Sequence, residues 1–481
     1  MRPLASAALI AALAGCAVGP DYHRPDVEVP AKYRYQIEEV TETANAQWWK
    51  QFNDPVLDQL IIDALAANKD VKIAAANVEQ AAGVFTSVRS PLFPQLGYQG
   101  DAARARLPDP LVTPGTDNPD SSYQAFATAS WEIDLWGRIR RQTESARSNL
   151  LATQQARRGV VLSLVASVAT TYMNLRAFDE QLVIALRTRD NYAESLRLFE
   201  LQFKYGVVSL MTVEQARAQY ETAVTRIAQI EQLIVTTENV LSILLGRNPG
   251  PIPRGKPIEE FVLPTVPAGL PSDLLTRRPD IAQAEQTLIG ANAQIGAAKA
   301  LYFPAISLTG LFGGASTDLS DLFKGSSKVW NYTGTITGPI FTGGGISGQV
   351  AQARASQKAA LFNYEGTIQR AFADVDNALS ARQKLAEQLA SSVKLVDALK
   401  GYARLALIQF NGGYTSYLTV LYADQLLFPA ELELAQTRAA LLNSVTNIYK
   451  STGGGWISEA AQLAPQPVDG GWLSPRVSEQ P

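Results

Sequence analysis

The chain is poor in the residues that do chemistry. It holds one Cys and one His in 481 residues. A zinc site built from Cys and His needs about four ligands, and a lone Cys forms no disulfide within its chain. The single His, His23, lies in a Pro-containing N-terminal stretch, so a Ser-His-Asp enzyme has only that base to use. Charge is scarce too: Asp, Glu, Lys and Arg make up 18%, below the usual quarter. The 42 basic and 45 acidic side chains leave a net charge of −3, no electrostatic footprint for nucleic acid. No P-loop, H-E-x-x-H or G-x-S-x-G string occurs. No metal, cofactor, nucleic-acid partner or enzymatic activity is expected.

What is present begins at the N-terminus. Arg2 precedes an apolar run from Leu4 to Leu13, broken only by Ser6, and then Leu13-Ala14-Gly15-Cys16. A basic, apolar, small-residue order reads as a secretory signal. Leu-Ala-Gly-Cys resembles the bacterial lipobox, which implies cleavage before Cys16 and acylation of its thiol and amine. The only Cys in the chain stands at that spot. Ala17, where inner-membrane lipoproteins usually carry Asp, implies the outer membrane. Several acyl chains give stable anchoring. No later stretch reaches about 18 apolar residues, so no membrane-spanning helix is expected.

The chain repeats itself. Gln202–Val213 aligns with Gln409–Val420 at an offset of 207, with six of twelve pairs identical. Asp70-Val71 pairs with Asp280-Ile281 and Phe93-Pro94 with Phe303-Pro304 at an offset of 210. Ala146-Arg147 pairs with Ala353-Arg354 at 207 again. The expected organisation is a signal peptide over 1–15, an anchored segment over 16–55 and a first repeat over 56–246. A Pro-rich linker over 247–271, a second repeat over 272–452 and a tail over 453–481, poorly packed or draped over the belt of the molecule, complete it.

Each repeat shows the same element order. A helix, roughly Val56 to Val88 or Ser272 to Leu301, ends near a proline, Pro94 or Pro304. Alternation with period two then runs through Tyr123 to Leu135 and Trp330 to Ile340, more weakly through Gln95 to Arg106 and Ala305 to Gly314. These lengths suit tilted membrane strands of about 9–11 residues better than soluble strands of about 5–6. Trp131, Trp136, Trp330, Tyr332 and Phe341 suit an aromatic girdle or a core equally well. Gly137 to Lys204 and Gly344 to Asn411 are each 68 residues without proline. Each predicts a helix roughly 100 Å long. A heptad spacing runs through Val161, Val168, Leu175, Leu182, Leu196 and Phe203, and through Ile368, Val375, Leu389, Val396 and Phe410, interrupted at Arg189 and Arg382. The helices stop at Gly206 and Gly413, where Gly suits a left-handed residue and Ser209 or Ser416 suits a cap for the returning helix.

Four strands do not close a barrel, and lipid forbids open edges, so chains must associate. Two chains give eight strands and three give twelve. Polar inner faces and ~100 Å helices then imply a water-filled conduit continued by a helical tube. Gly343-Gly344-Gly345-Ile346-Ser347-Gly348 fits G-x-G-x-x-G, and Glu365 follows about twenty residues on. The helix behind it is too long for a dinucleotide-binding unit, and a strand-to-helix joint is expected there.

The chain resembles the TolC family of outer-membrane channels, in its lipoprotein branch serving resistance-nodulation-division efflux pumps. The residues carrying this are Cys16 to Pro25, Trp48-Trp49, Asn53-Asp54-Pro55, Leu275 to Ile281 and both Gly turns. The resemblance implies an α+β membrane protein built from two repeats: a homotrimer with a twelve-stranded β-barrel, four strands per chain, continued by a periplasmic α-helical barrel and an equatorial belt. It implies a passive exit duct for small molecules, docked to a periplasmic adaptor and an inner-membrane pump. A structural tether or a type I secretion duct is the alternative. Adaptor contact falls on Gly206, Val207, Ser209, Gly413, Thr415 and Ser416. The periplasmic gate falls on Leu418, Thr419, Tyr422 and Asp424. Leu418 fits the family's apolar ring. The family's acid aligns with Tyr422, a departure, and Asp424 lies about 200° round the helix from it. The expected closed state packs Leu418 and Tyr422 around the threefold axis, with Thr419 nearby. Packing between neighbouring helices is the alternative.

Overall fold

The computed structural model describes residues 17–35, 47–113, 115, 117–264, 274–454 and 456–468. Cys16, the signal peptide and the end of the tail lie outside them. The elements in order are α1 (Pro55–Ala67), α2 (Lys69–Arg89), β1 (Gln95–Ala105), β2 (Asp120–Ile133), α3 (Arg138–Lys204) and α4 (Leu210–Leu244). The second half supplies α5 (Leu274–Arg277), α6 (Pro279–Ala300), β3 (Ala305–Ser316), β4 (Lys328–Thr337), α7 (Gly345–Asn411) and α8 (Tyr417–Thr452), and α9 (Trp456–Leu463) follows.

α3 and α7 are each 67 residues, about 100 Å long. Gly137 at φ 78° and Gly344 at φ 88° start them, left-handed residues that turn the chain from strand to helix. The expected dinucleotide-like glycines are therefore a joint. Val161, Val168, Leu175, Ile368, Val375 and Val396 of the heptad series are buried. Phe203 is not: it is 45% exposed near the tip. α3 is long and apolar enough to cross a membrane, against the expectation of none, but 67% of its apolar window is buried as core.

Shorter helices flank the long ones in two storeys. Near the strands the packing order is α2–α3–α6–α7; toward the tips it is α4–α3–α8–α7. The storeys join end to end. The helix expected over 56–88 breaks at Asn68, whose Oδ1 accepts Val71 N–H at 3.1 Å while its Nδ2 donates to Leu244 O of α4 at 2.9 Å. The helix expected over 272–301 breaks before Pro279, which forces Arg278 into an extended conformation. Arg278 Nη1 donates to Ser451 O of α8 at 3.0 Å. Positions 68 and 278 are equivalent in the repeat, so each break places a donor on the orphan carbonyls of the helix ending beside it.

The strands form one antiparallel sheet, β1-β2-β3-β4, so β2 and β3 pair across the repeats. The expected boundaries shift by up to three residues: β2 starts at Asp120 and β4 ends at Thr337. The register sorts the side chains. Leu96, Tyr98, Ala127, Trp131, Ile133, Leu308, Phe312, Trp330, Tyr332 and Ile336 share one face. Gln95, Gln99, Gln124, Thr128, Ser307, Thr309, Asn331 and Thr335 share the other. The strand acids Asp101, Asp120 and Glu132 lie on the polar face. Trp136 is no free girdle residue: it stacks on Phe303 at 4.6 Å and donates to Pro304 O at 2.8 Å. The chain entering from Ala17 docks at the same joint, with Val18 N–H donating to Trp136 O at 3.0 Å and Arg141 paired with Asp21 at 2.7 Å.

An aromatic belt surrounds the middle of α3. Trp48 stacks on Tyr449 at 5.2 Å and meets Trp49, Phe52 and Trp456 edge-on. The tail was expected to be poorly packed or draped over the belt; its described part, α9, lies at the belt and is well packed, with Trp456 fully buried. The linker likewise buries Ile252 and Ile258, and Arg254 pairs with Asp179 and Glu238. Apolar residues within these Pro-rich stretches supply that burial. Asp54 clamps three of these parts. Its Oδ1 accepts Val56 N–H at 2.8 Å, capping α1, and its Oδ2 accepts Tyr172 O–H at 3.2 Å and Lys256 N–H at 3.3 Å. A Cβ on Gly255 would come within 2.2 Å of Asp54 Oδ1, so only Gly fits there.

Asp54→Ala removes a helix cap and leaves buried donors unpaired. A loss on the order of 3 kcal/mol is expected. It reads as a lower midpoint of thermal unfolding in detergent, followed by the near-ultraviolet circular dichroism of the Trp cluster. An unchanged midpoint refutes the clamp.

Candidate functional site: the tips and the helix behind them

The α3–α4 and α7–α8 hairpins turn at Gly206 (φ 71°) and Gly413 (φ 75°). Gly206 N–H donates to Phe203 O at 2.9 Å and Val207 N–H to Gln202 O at 2.8 Å; Gly413 and Tyr414 repeat this with Phe410 and Gln409. This pair of bonds satisfies the last carbonyls of each long helix. The Ser caps do not form. Ser209 and Ser416 occupy the N-cap positions, but neither hydroxyl accepts a backbone N–H. Their carbonyls accept Thr212 and Thr419 N–H, both at 3.1 Å, and Thr415 Oγ1 bonds Thr419 Oγ1 at 2.8 Å. Val207 is 70% exposed, and Met211 beside it 67%.

The two hairpins hold each other through aromatic rings. Phe199 meets Tyr417 at 4.3 Å and Phe410 at 6.1 Å. Farther from the tip, Glu431 of α8 is buried, accepts Arg187 of α3 at 2.8 Å and pairs with Lys400 of α7 at 3.2 Å. Sequence reasoning missed Phe199, Tyr417, Arg187 and Glu431. A charge inside the heptad-patterned helices was the only signal for the ion pair.

The four gate candidates divide. Leu418 and Tyr422, four residues apart on α8, are both exposed, at 62% and 56%. Thr419 is half-buried and tied to Thr415. Asp424 is half-buried at the mouth of a cavity of about 780 Å³ between α3, α4 and α8. Burial pushes its carboxyl up to about 6. The neighbouring Tyr417 hydroxyl is pushed up to about 12, by burial first and then by Asp424. The structure thus brings Leu418 and Tyr422 together on one open face and places Asp424 apart from them. Among the described residues no group of three or more His, Cys, Asp or Glu is disposed to hold a metal ion.

A sheet with one apolar and one polar face, continued by helices of about 100 Å, defines an outer-membrane channel. Residues 60–247 and 270–454 match the family described as outer membrane efflux protein. The chain belongs to this family and is an outer-membrane efflux component. It is 37% identical over 462 residues to the probable efflux pump outer membrane protein TtgC of Pseudomonas putida, covering 94% of this chain and 96% of the relative. It is 35% identical to the cation efflux system protein CusC of Escherichia coli over 451 residues, 92% of this chain and 97% of the relative. Among solved structures, the CmeC outer membrane channel of Campylobacter jejuni superposes with a TM-score of 0.87 at 26% identity, covering 94% of this chain and 99% of that one. The open state of the MtrE outer membrane channel of Neisseria gonorrhoeae gives 0.82 at 32% identity, covering 92% and 99%.

If Leu418 and Tyr422 close the pore, three copies of each form an apolar ring that dewets it. Leu418→Ala with Tyr422→Ala is then expected to raise the resting single-channel conductance in a planar bilayer severalfold. Conductance at the wild-type level, with Asp424→Ala alone opening the pore, overturns this gate.

Proposed function

We propose that the chain works as a homotrimer, a passive conduit without a catalytic step that carries small toxic molecules from an inner-membrane pump and its periplasmic adaptor to the cell exterior. The single observation that supports this most is the segregated sheet. Its apolar face suits lipid and its polar face suits water, while β1 and β4 each keep an unpaired edge. β1 of one copy pairing with β4 of the next satisfies both edges, and three copies make a barrel of twelve strands. Four helices abreast in each storey likewise make twelve around the tube. A tether needs no polar face inside its sheet. The relatives' names mention toluene, solvents, antibiotics and cations as what those proteins export. The export of compounds of this kind is the reading adopted for this chain.

In this reading Cys16 carries the acyl chains. Ala17 and Val18 dock at the joint where strands give way to helices, which is where the membrane surface lies, so a lipid on the preceding residue reaches the inner leaflet. The tips meet the adaptor. They stand about 100 Å from the joint, farthest from the membrane, and expose Val207, Met211 and Tyr414.

Two measurements test this. Gly206→Pro with Gly413→Pro removes the donors and the left-handed residues of both turns. Export is expected to cease while trimers survive on native gels; normal efflux in the double variant refutes tip docking. Mass spectrometry of the mature membrane-extracted protein is expected to find an acylated Cys16 as its first residue. An unmodified thiol, or a chain still carrying Met1, refutes the anchor.

A further inference from the structure

The cavity beside Asp424 lies on the tube wall directly behind the gate candidates. Its lining on α8 includes Gln425 and Pro429. Leu418 and Tyr422 precede these two by seven residues each, so they share one stripe of the helix, with about 20° of drift per heptad. The cavity therefore opens on the same side as the candidate gate, about 10 Å deeper into the tube. Phe178 and Tyr192 of α3, Leu233 of α4 and Phe428 of α8 form its apolar walls. A volume of about 780 Å³ lies within the usual range for small-molecule sites.

Its charge is lopsided. Asp424, Glu221 and Glu433 line it against one base, Arg226, whose Nη1 donates to Gln229 at 3.2 Å. Asp424 has neither a hydrogen bond nor an ion pair among the described residues. A half-buried carboxylate left unpaired beside aromatic rings lacks a cation, and rings attract cations to their faces.

We infer that this recess binds an amphipathic organic cation, its charge against Asp424 and its apolar body among Phe178, Tyr192 and Phe428. The site is a resting place for cargo just inside the entrance. Its place on the transport path rests on the reading that Leu418 and Tyr422 face the conduit; its occupancy does not. A recess that pairs an unpaired carboxylate with aromatic walls holds such a molecule more tightly than open water does, and so biases what dwells there.

Tetraphenylphosphonium and tetraphenylborate, alike in shape and opposite in charge, test the site. Thr225→Cys on the recess wall provides a thiol in the assembled channel. Tetraphenylphosphonium is expected to slow its labelling by a small thiol reagent, and tetraphenylborate to leave the rate unchanged. Asp424→Asn with Glu433→Gln is expected to raise the half-protecting concentration about tenfold. Equal protection by both ions, or no shift in the double variant, overturns the site. A Thr225→Cys that resists labelling without any probe shows a second copy filling the recess, and also overturns it. Efflux and resting conductance report the conduit separately: a channel that exports normally but shows no charge-selective protection sinks the recess and leaves the conduit standing.

Discussion

Every backbone N–H and C=O in hydrocarbon must find a partner, and this chain carries a sheet that cannot satisfy its own. β1 and β4 are its outer strands. Each is 10 or 11 residues long, and so leaves a full membrane thickness of backbone groups unpaired on one side. The rest of the architecture follows from closing those edges with further copies. Closure fixes which face looks inward, and the register has already placed Gln, Ser, Thr and the three strand acids on that face. It also fixes the width of the tube below, because each strand pair feeds one long helix through a left-handed glycine.

A tube of that width cannot be walled by two long helices per chain. α4 and α8, at 35 and 36 residues, return only about half the length of α3 and α7. α2 and α6 complete the other half. Helix ends are thereby left stacked against helix starts in the middle of the wall, where orphan carbonyls and amides meet. The clamps by Asn68 on Leu244 O and Arg278 on Ser451 O answer that problem in each repeat with a different side chain. The aromatic belt sits at this same level and draws in the N-terminal segment, the linker and α9. A seam between storeys is where a long hollow structure needs reinforcement, and Asp54 ties the start of α1, α3 and the linker together there.

The fold was largely legible where one residue decides a backbone state. Gly137, Gly206, Gly344 and Gly413 stand where the chain turns through positive φ, and the proline-free stretches between them became α3 and α7 almost to the residue. Period-two alternation located all four strands. What stayed hidden depends on partners distant in sequence. Nothing local in Gly453 to Pro481 distinguishes a free tail from one that buries Trp456 against Trp48. Pro279 and Asn68 announced breaks only in hindsight, since each break is stabilised by a carbonyl from another helix. The Ser caps failed because the Ser209 and Ser416 carbonyls already engage the Thr212 and Thr419 amides; the Ser209 hydroxyl bonds Thr212 Oγ1 instead. Of the gate candidates, helical spacing alone set Leu418 and Tyr422 on one face and Asp424 on another, and the structure keeps that division.

If Leu418 and Tyr422 close the pore, that division changes how the entrance works electrostatically. The gate implied by the resemblance has an acid at the position of Tyr422. Here Tyr occupies that position and the carboxylate sits two residues later. A displacement of about 200° carries it off the Leu418–Tyr422 ridge and against Tyr192 and Tyr417. A ring of Leu and Tyr closing the pore would resist opening through its affinity for itself, with no repulsion among three carboxylates to help it part. The restraint on α8 must then come from its flanks. Glu431 supplies one, pinned between Arg187 of α3 and Lys400 of α7 and nearly excluded from water although both bases are half-exposed, so releasing α8 breaks two ion pairs that share one buried carboxylate. Phe199 against Tyr417 supplies another nearer the tip. Opening such a gate would mean peeling α8 from α3 at these two points.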